Sequence, residues 1–325
     1  MKNAMAELVS TKEAPILSII VDLGIVKRDN AANLKHLMEE AVKLIPDEIS
    51  KSDRDVLLTR LELIFKGLES DTHNASVAVF VAKDFGKVVP LNYRAAERVV
   101  LGDGFAASEV AYSEANCPSF HIVVGGGNLI RLFEVAADQI VEVKENEQLI
   151  HVGHILKTHD HSNQSEEHKL HDAFAELCKT LQWPIVLIGT SHFGDTSALS
   201  EYVLATHEGN FEHATAAEIF KVAKEEMEIW KTAKAAVELE EIEKLVHEKR
   251  LGSGLDEVKE LIKAGRVEKL YVEESGEVNE KDTELNQLTT NDHLISQALQ
   301  FGGEVVFLPV NSLAKFEGMA AALRY

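Results

Sequence analysis

The chain has 325 residues, a formal net charge of −21 and two cysteines. Its length favours two or three domains, and no run approaches the ~18 consecutive apolar residues of a membrane-spanning helix. The acidic balance argues against a general affinity for nucleic acid. Residues 1–15 lack the apolar core of a secretory signal, and Cys117 and Cys178 lack metal-ligand spacing. We therefore expect a cytoplasmic protein with reduced thiols.

The first region, residues 1–116, combines strands with two helices. Apolar runs predict the strands, and apolar residues at helical spacing predict the helices. In chain order, the predicted elements are strand 16–23, helix 33–45, helix 54–68, strand 76–81 and strand 88–92. Ser52 or Asp53 is suited to cap the second helix, and residues 83–87 form the turn between the last two strands.

The second region, residues 117–222, begins with a hairpin and continues with alternating helices and strands. In chain order, the predicted elements are strand 120–124, strand 129–135, helix 166–181, strand 184–190 and helix 196–205. A turn of three glycines and Asn128 joins the first two strands, as is typical of hairpins. Residues 151–171 read as a polar loop that holds six of the 14 histidines, and long polar loops between rigid elements often carry function.

The third region, residues 223–325, alternates helices and strands after one long helix. In chain order, the predicted elements are helix 215–250, which begins in the second region, helix 255–264 ended by Gly265, strand 267–272, helix 292–301 and strand 304–309. Together with the first two regions, this alternation predicts an α/β protein.

Several motifs have simpler explanations than chemistry. The three glycines lack the spacing of a nucleotide-binding loop. The histidine pairs match no standard zinc set, and no cysteine joins them, so we expect no metal. No Gly-x-Ser-x-Gly elbow surrounds any serine, which gives little support to nucleophilic catalysis. We expect no cofactor.

Three short motifs in the same order resemble the archaeal and eukaryotic class-1 release factors and Pelota. A helix tip reads Ile49-Ser50-Lys51-Ser52, where that family has Asn-Ile-Lys-Ser. The central loop reads Ser162-Asn163-Gln164, where the family has Gly-Gly-Gln. The chain closes on Gly-x-x-Ala-x-Leu-Arg-Tyr at residues 318–325, as in the C-terminal domain of these proteins. The chain is similar to a bacterial, Balon-like and ribosome-associated branch of this superfamily.

The resemblance implies three domains: residues 1–116, 117–222 and 223–325. The first is a release-factor-like α/β domain, the second is RNase H-like, and the third is an α-β-α sandwich of the ribosomal L7Ae/L30e kind. The first domain is implied to contact the small ribosomal subunit at its decoding site. The residues that we expect in this contact are Ser50, Lys51, Ser52, Lys83 and Lys87. An ordinary helix turn explains the tip equally well.

The middle domain is implied to reach the peptidyl-transferase centre through its central loop. The expected loop residues are His159, His161, Ser162, Asn163, Gln164 and Ser165. In the family, two glycines allow the backbone to approach the tRNA ester, and both are absent here. A solvated loop with a coincidental glutamine is the alternative. We therefore assign no catalytic residue, except Gln164 if the protein is active.

The leading hypothesis is a ribosome-associated factor that occupies the A site in hibernation, stress or rescue without releasing peptide. Its partners would be the rRNA of both subunits and a translation GTPase such as elongation factor Tu, with no DNA and no membrane. One alternative is a peptidyl-tRNA hydrolase that uses the Gln164 loop. The other is a binding protein that has left the ribosome, which the net charge favours.

Overall fold

The structure, a computed structural model, describes most of the chain in two compact units. The described residues are 8, 15–23, 27–46, 49–69, 75–126, 129–136, 139–158, 164–189, 199–274 and 288–325, without the side chains of 27–29 and 164–167. The middle unit is Pro118–Lys234. The composite unit combines Met1–Cys117 with Ala235–Tyr325.

The N-terminal sheet of the composite unit has four antiparallel strands in the order β3-β2-β1-β4. Its elements are β1 Ile16–Asp22, α1 Lys27–Leu44, α2 Lys51–Leu68, β2 Ser76–Val81, β3 Gly86–Leu91, β4 Arg98–Gly102 and α3 Ser108–Asn116. Strands β1 and β2 are buried on both faces, which explains their continuous apolar sequences. Helices α1 and α2 cover one face through residues that include Leu37 and Leu61.

The C-terminal sheet of the composite unit has the order β10-β13-β11-β12, in which β11 and β12 run parallel. Its elements are the end of α6 Ala216–Glu248, then β10 Leu251–Ser253, α7 Leu255–Lys263, β11 Val267–Glu273, α8 Thr290–Gln300, β12 Glu304–Leu308 and β13 Met319–Leu323. Helix α6 covers one face through Ile242 and Leu245. Helices α7 and α8 cover the other through Ile262 and Ile295. The result is an α-β-α sandwich.

The two sheets of the composite unit share one hydrophobic core. Helix α3 follows the N-terminal sheet in sequence but packs against α8 and β12 of the C-terminal part. The ring of Tyr112 meets Phe307 edge-on, with centroids 5.3 Å apart. Phe80 and Phe105, from the N-terminal part, meet in the same way at 5.3 Å within this core. Edge strand β12 is therefore covered by a helix from the other end of the chain.

The middle unit contains a five-stranded mixed sheet in the order β7-β6-β5-β8-β9. Its elements are β5 Phe120–Gly126, β6 Leu129–Ala136, β7 Gln139–Val143, α4 Glu147–Thr158, α5 Gln164–Thr180, β8 Ile185–Gly189, β9 Val203–Glu208 and the start of α6. Strands β5, β8 and β9 are parallel, and β6 is antiparallel to both of its neighbours. This strand order and direction are those of an RNase H-like sheet.

Two glycines allow β5 and β8 to pair closely at their ends. Gly189 has φ +143°, and a Cβ atom placed there would lie 1.8 Å from the carbonyl oxygen of Gly125. No side chain fits this position, so glycine is required at residue 189. Gly125 and Gly126 end strand β5, so the described part of this glycine run belongs to the sheet.

The structure confirms the predicted α/β fold class with three sheets. The predicted helix 196–205 is wrong in its described part, because Val203–Glu208 is strand β9, and residues 196–198 lie outside the described residues. Its Leu204 and Ala205 pack into the core beneath α6, where a strand next to β8 is favoured over local helix propensity. Helices α3 and α4 and strands β4, β7, β10 and β13 were not predicted. The domain boundaries stay a prediction. Within the described part of the chain, no helix is long and apolar enough to cross a membrane.

Candidate functional site

Helices α4 and α5 form the scaffold of the predicted central loop. Their apolar faces pack against each other and against the middle sheet. Leu149, Val152 and Leu156 of α4 and Phe174 and Leu177 of α5 are buried there. The spacing of these residues is that of one helix face, so the helices lie on the sheet and lead the chain to the segment between them.

The polar loop predicted at residues 151–171 is wrong in its extent. Helix α4 continues to Thr158, and α5 begins at Gln164. The histidine-rich composition concealed the buried leucine and valine periodicity of α4. Of the predicted loop residues, His159, His161, Ser162 and Asn163 lie outside the described residues.

Gln164 and Ser165 lie in the first turn of α5 rather than in a loop. The amides of a first helical turn have no intrahelical acceptor, and the helix dipole adds partial positive charge there. The backbone of Gln164 can therefore donate a hydrogen bond to an anionic or carbonyl oxygen. Such a donor can serve equally to anchor the segment on RNA or to stabilise an oxyanion.

The histidines of this region do not form a metal site among the described residues. His151 and His154 are exposed on α4, and His168 is exposed on α5. Cys178 is buried in the core of the same unit, and burial raises the pKa of its thiol to about 12. A thiol in this state is unreactive, so its role is packing.

At the N-terminal tip, Ser50 caps helix α2. Its hydroxyl accepts a hydrogen bond from the Asp53 amide at 3.1 Å and donates one to the Asp53 carboxylate at 2.7 Å. The Asp53 carboxylate also lies 3.0 Å from Lys83 Nζ. These hydrogen bonds, first that of Ser50 and then that of Lys83, lower the pKa of Asp53. The structure therefore joins two of the predicted contact residues through Asp53.

The capping prediction needs correction, because α2 begins at Lys51 and Ser50 is its cap. Lys51 and Ser52 are exposed in the first turn of α2. Lys87 lies within β3, opposite Phe80 of β2, and not in the turn that carries Lys83. Among the predicted lysines, Lys51 is thus the one on the tip itself, whereas Lys83 also holds Asp53.

A shallow groove between α2 and the start of β3 was not predicted from the sequence. It has a volume of about 370 Å³ and is lined by Arg60, Leu63, Ile64 and Gly86. Leu63 is 68% exposed, which is unusual for leucine at the middle of a helix. The sequence does contain an indication of this groove, because Leu63 is an apolar residue that lies outside the apolar stripe of α2.

No protein-family model matches the sequence, and no curated protein matches it. Among solved structures, archaeal Pelota from a ribosome-bound model with ABCE1 is 17% identical, with a TM-score of 0.45 over 75% of this chain and 73% of that chain. Dom34 of S. cerevisiae is 9% identical, with a TM-score of 0.42 over 99% and 92%. An archaeal translation termination factor is 14% identical, with a TM-score of 0.27 over 100% and 97%. At these values the similarities do not assign the chain to a family.

Proposed function

We propose that this chain is a ribosome-associated translation factor from a bacterial branch of the release factor and Pelota superfamily. It occupies the ribosomal A site in hibernation, stress or rescue and does not release peptide. The observation that supports this function is the order of three sheets along the chain. An antiparallel sheet, an RNase H-like sheet and an α-β-α sandwich follow one another, which is the order that the sequence motifs imply.

The chemistry at Gln164 supports anchoring rather than hydrolysis. Hydrolysis of the tRNA ester requires donors held about 3 Å from the developing oxyanion and space for water. Ser162 and Asn163 replace the two family glycines, and both side chains restrict the positive φ angles that glycine adopts freely. With Gln164 fixed at the start of α5, the segment acts as a plug or anchor, with His159 and His161 beside it in sequence.

The N-terminal tip carries the proposed contact with small-subunit rRNA. Lys51 is exposed at the first turn of α2, while Lys83 holds Asp53 at the neighbouring turn. Ser52 follows Lys51 and can donate a hydrogen bond to a phosphate oxygen, whereas the hydroxyl of Ser50 already donates to Asp53. Because the chain as a whole is acidic, contact with RNA must be local and sensitive to salt.

The C-terminal sandwich carries the proposed contact with a translation GTPase such as elongation factor Tu. Several of its acidic side chains are used within the fold: Lys269 bridges Glu238 and Glu241, at 3.1 and 2.9 Å. Glu240 and Glu243 of α6 are exposed. An exposed acidic helix suits a basic protein surface and not RNA.

Binding to purified bacterial ribosomes tests the proposed function. We expect the chain to sediment with ribosomes and its affinity to fall as salt rises. Lys51→Glu should weaken binding and reduce the slope of log affinity against log salt by about 0.7–0.9, the effect of one phosphate contact. Lys66→Glu, at the exposed far end of the same helix, is the matched control and should change neither. Absence of ribosome binding at low salt would contradict the function.

A further inference from the structure

A buried group of three charged side chains lies inside the composite unit, where its N-terminal and C-terminal parts meet. Arg98 is on β4, Glu109 on α3 and Asp292 on α8. The Asp292 side chain is completely buried, and those of Arg98 and Glu109 are 15% and 16% exposed. Arg98 lies 2.6 Å from the carboxylate of Asp292 and 3.3 Å from that of Glu109. One guanidinium therefore serves a carboxylate from each part of the chain.

Asp292 is fully supplied with hydrogen-bond donors. One carboxylate oxygen accepts the amide and hydroxyl of Ser108 at 3.2 and 2.6 Å. The other accepts the amide and hydroxyl of Thr289 at 3.0 and 2.9 Å, in a capping box at the start of α8. Burial raises the pKa of Asp292, but Arg98 and these hydrogen bonds outweigh burial, and the pKa lies below its usual value. Asp292 thus holds the negative charge in this group.

Glu109 is the carboxylate whose burial is not balanced by enough hydrogen bonds and positive charge. Its second oxygen, Oε2, is buried and has no hydrogen-bond partner among the described residues. Two buried carboxylates share one guanidinium, so the group carries one excess negative charge unless a proton binds. Burial, and then the charge of Asp292, raise the pKa of Glu109 to about 7 against the opposing effect of Arg98.

Besides Asp292, two titratable groups face Glu109, and neither of them changes charge near neutrality. Tyr93, in the segment before β4, has its pKa raised by burial and by Glu109, so its phenol stays neutral. Arg98 faces Glu109 from β4 and keeps its charge, because its pKa is raised as well. Glu109 is therefore the group in this cluster that gains or loses a proton between mildly acidic and neutral pH.

We propose that the two parts of the composite unit are joined by a proton-dependent latch, which closes when Glu109 binds a proton beside Arg98 and Asp292. In an open state Glu109 meets water and titrates near 4.5, its ordinary value. The closed state therefore binds more protons between that value and about 7. Closure is favoured at the acidic end of this window, weakens as pH rises through it and changes no further above it.

Opening of the latch would expose apolar surface, but only where the two parts of the composite unit meet. Helix α3 would leave α8 and β12, which exposes Ala111, Phe105 and Phe307 of the shared core. The N-terminal and C-terminal sheets keep their own second faces, each packed on other helices. The expected open state thus separates two sheets without unfolding either one. This inference does not depend on the proposed function.

Hydrogen exchange of the full chain between pH 5 and pH 8 tests the latch. Protection factors, corrected for the intrinsic pH dependence of exchange, would be compared between wild type and Glu109→Gln, which keeps the shape of the neutral side chain and does not titrate. For amides of α3 and α8, wild-type protection relative to the variant should fall by up to about tenfold per pH unit up to about pH 7 and then level off. Glu62→Gln, an exposed acid on α2, should behave as wild type at every pH.

Asp292→Asn provides a second test from the other side of the group. With one carboxylate and one guanidinium the proton is no longer needed, so the pH dependence in α3 and α8 should move toward the ordinary glutamate range. If this variant does not fold, the Glu109→Gln comparison decides alone. A ratio between wild type and Glu109→Gln that stays constant with pH would overturn the latch. So would a pH-dependent loss of protection spread equally over β1, β2 and the C-terminal strands.

Discussion

Ser50 and Lys83 combine a predicted binding role with a structural one. Both were selected from the sequence as candidates for an RNA contact, and the structure connects them through Asp53. Sequence position alone does not show such a connection, because it joins a helix cap to a distant turn. Lys51 lies exposed in the first turn of α2, and its contact with RNA stays a prediction. The sequence therefore indicated candidate contact residues, whereas the hydrogen-bond partner of each one could be identified only from the fold.

Replacing Ser50 by alanine should destabilise the N-terminal part of the composite unit. The variant loses the cap of α2, which is worth about 1 kcal/mol in the free energy of unfolding. Ser52→Ala is the matched control: Ser52 is exposed in the first turn and is not the cap, so its replacement should cost less than about 0.5 kcal/mol. Urea unfolding at neutral pH measures both. Equal losses in the two variants would show that the cap is not at Ser50.

A pH series would separate the cap from the charge of Asp53. The pKa of Asp53 is lowered in the folded state, so its contribution is present above the ordinary aspartate value and is lost as pH falls through the lowered pKa. The stability difference between wild type and Ser50→Ala should therefore shrink in acid. A difference that grows as pH falls would contradict this assignment.

Helices α4 and α5 show which elements the sequence could predict. Strongly periodic elements were predicted, among them α2, α6, β2 and β11, because apolar spacing decides their type. Helix α4 was not predicted, because the polar residues His151 and His154 lie among its buried apolar residues and make the segment resemble a polar loop. Strand β9 was read as a helix, because its pairing with β8 comes from a distant part of the chain. Local patterns do not carry that information.

A peptide-release assay with a variant at Gln164, the first residue of α5, distinguishes an anchor from a hydrolase. Single-turnover release of labelled peptide from P-site tRNA should stay at background with the wild type and equally with Gln164→Ala. Removal of one oxyanion donor from a working site costs ~10²–10³ in rate, which such an assay resolves easily. A known release factor added to the same ribosomes is the positive control. Release by the wild type that the variant loses would support the hydrolase alternative.

The composite unit is the feature of the whole molecule that the sequence did not predict. Three consecutive domains suggest independent folding of the first and the last, but their described residues share a core. Phe307 on β12 contacts Tyr112 on α3, and Asn116 donates to Glu274 at 2.8 Å. Apolar residues at these positions are visible in the sequence, whereas the surface that they meet is not.

Replacing Phe307 by alanine should therefore weaken both ends of the chain together. Truncation of a buried phenylalanine costs about 3–5 kcal/mol, and we expect hydrogen exchange to accelerate in α3 and in β12 alike. Exchange in β5 and β8 of the middle unit is the internal reference and should change less. Phe301→Ala, at a ring that is 45% exposed, should have a small effect. Acceleration confined to the C-terminal strands would show that the two parts fold independently.

If this chain occupies the ribosomal A site, as we propose, it competes there with tRNA. The most direct test of this proposal is the affinity of the labelled chain for purified bacterial ribosomes whose A site is either vacant or filled with tRNA, at one fixed salt concentration. We expect saturable binding to vacant ribosomes and loss of that binding when tRNA fills the A site. Equal affinity for both ribosome preparations, or no binding to either, would contradict the proposal.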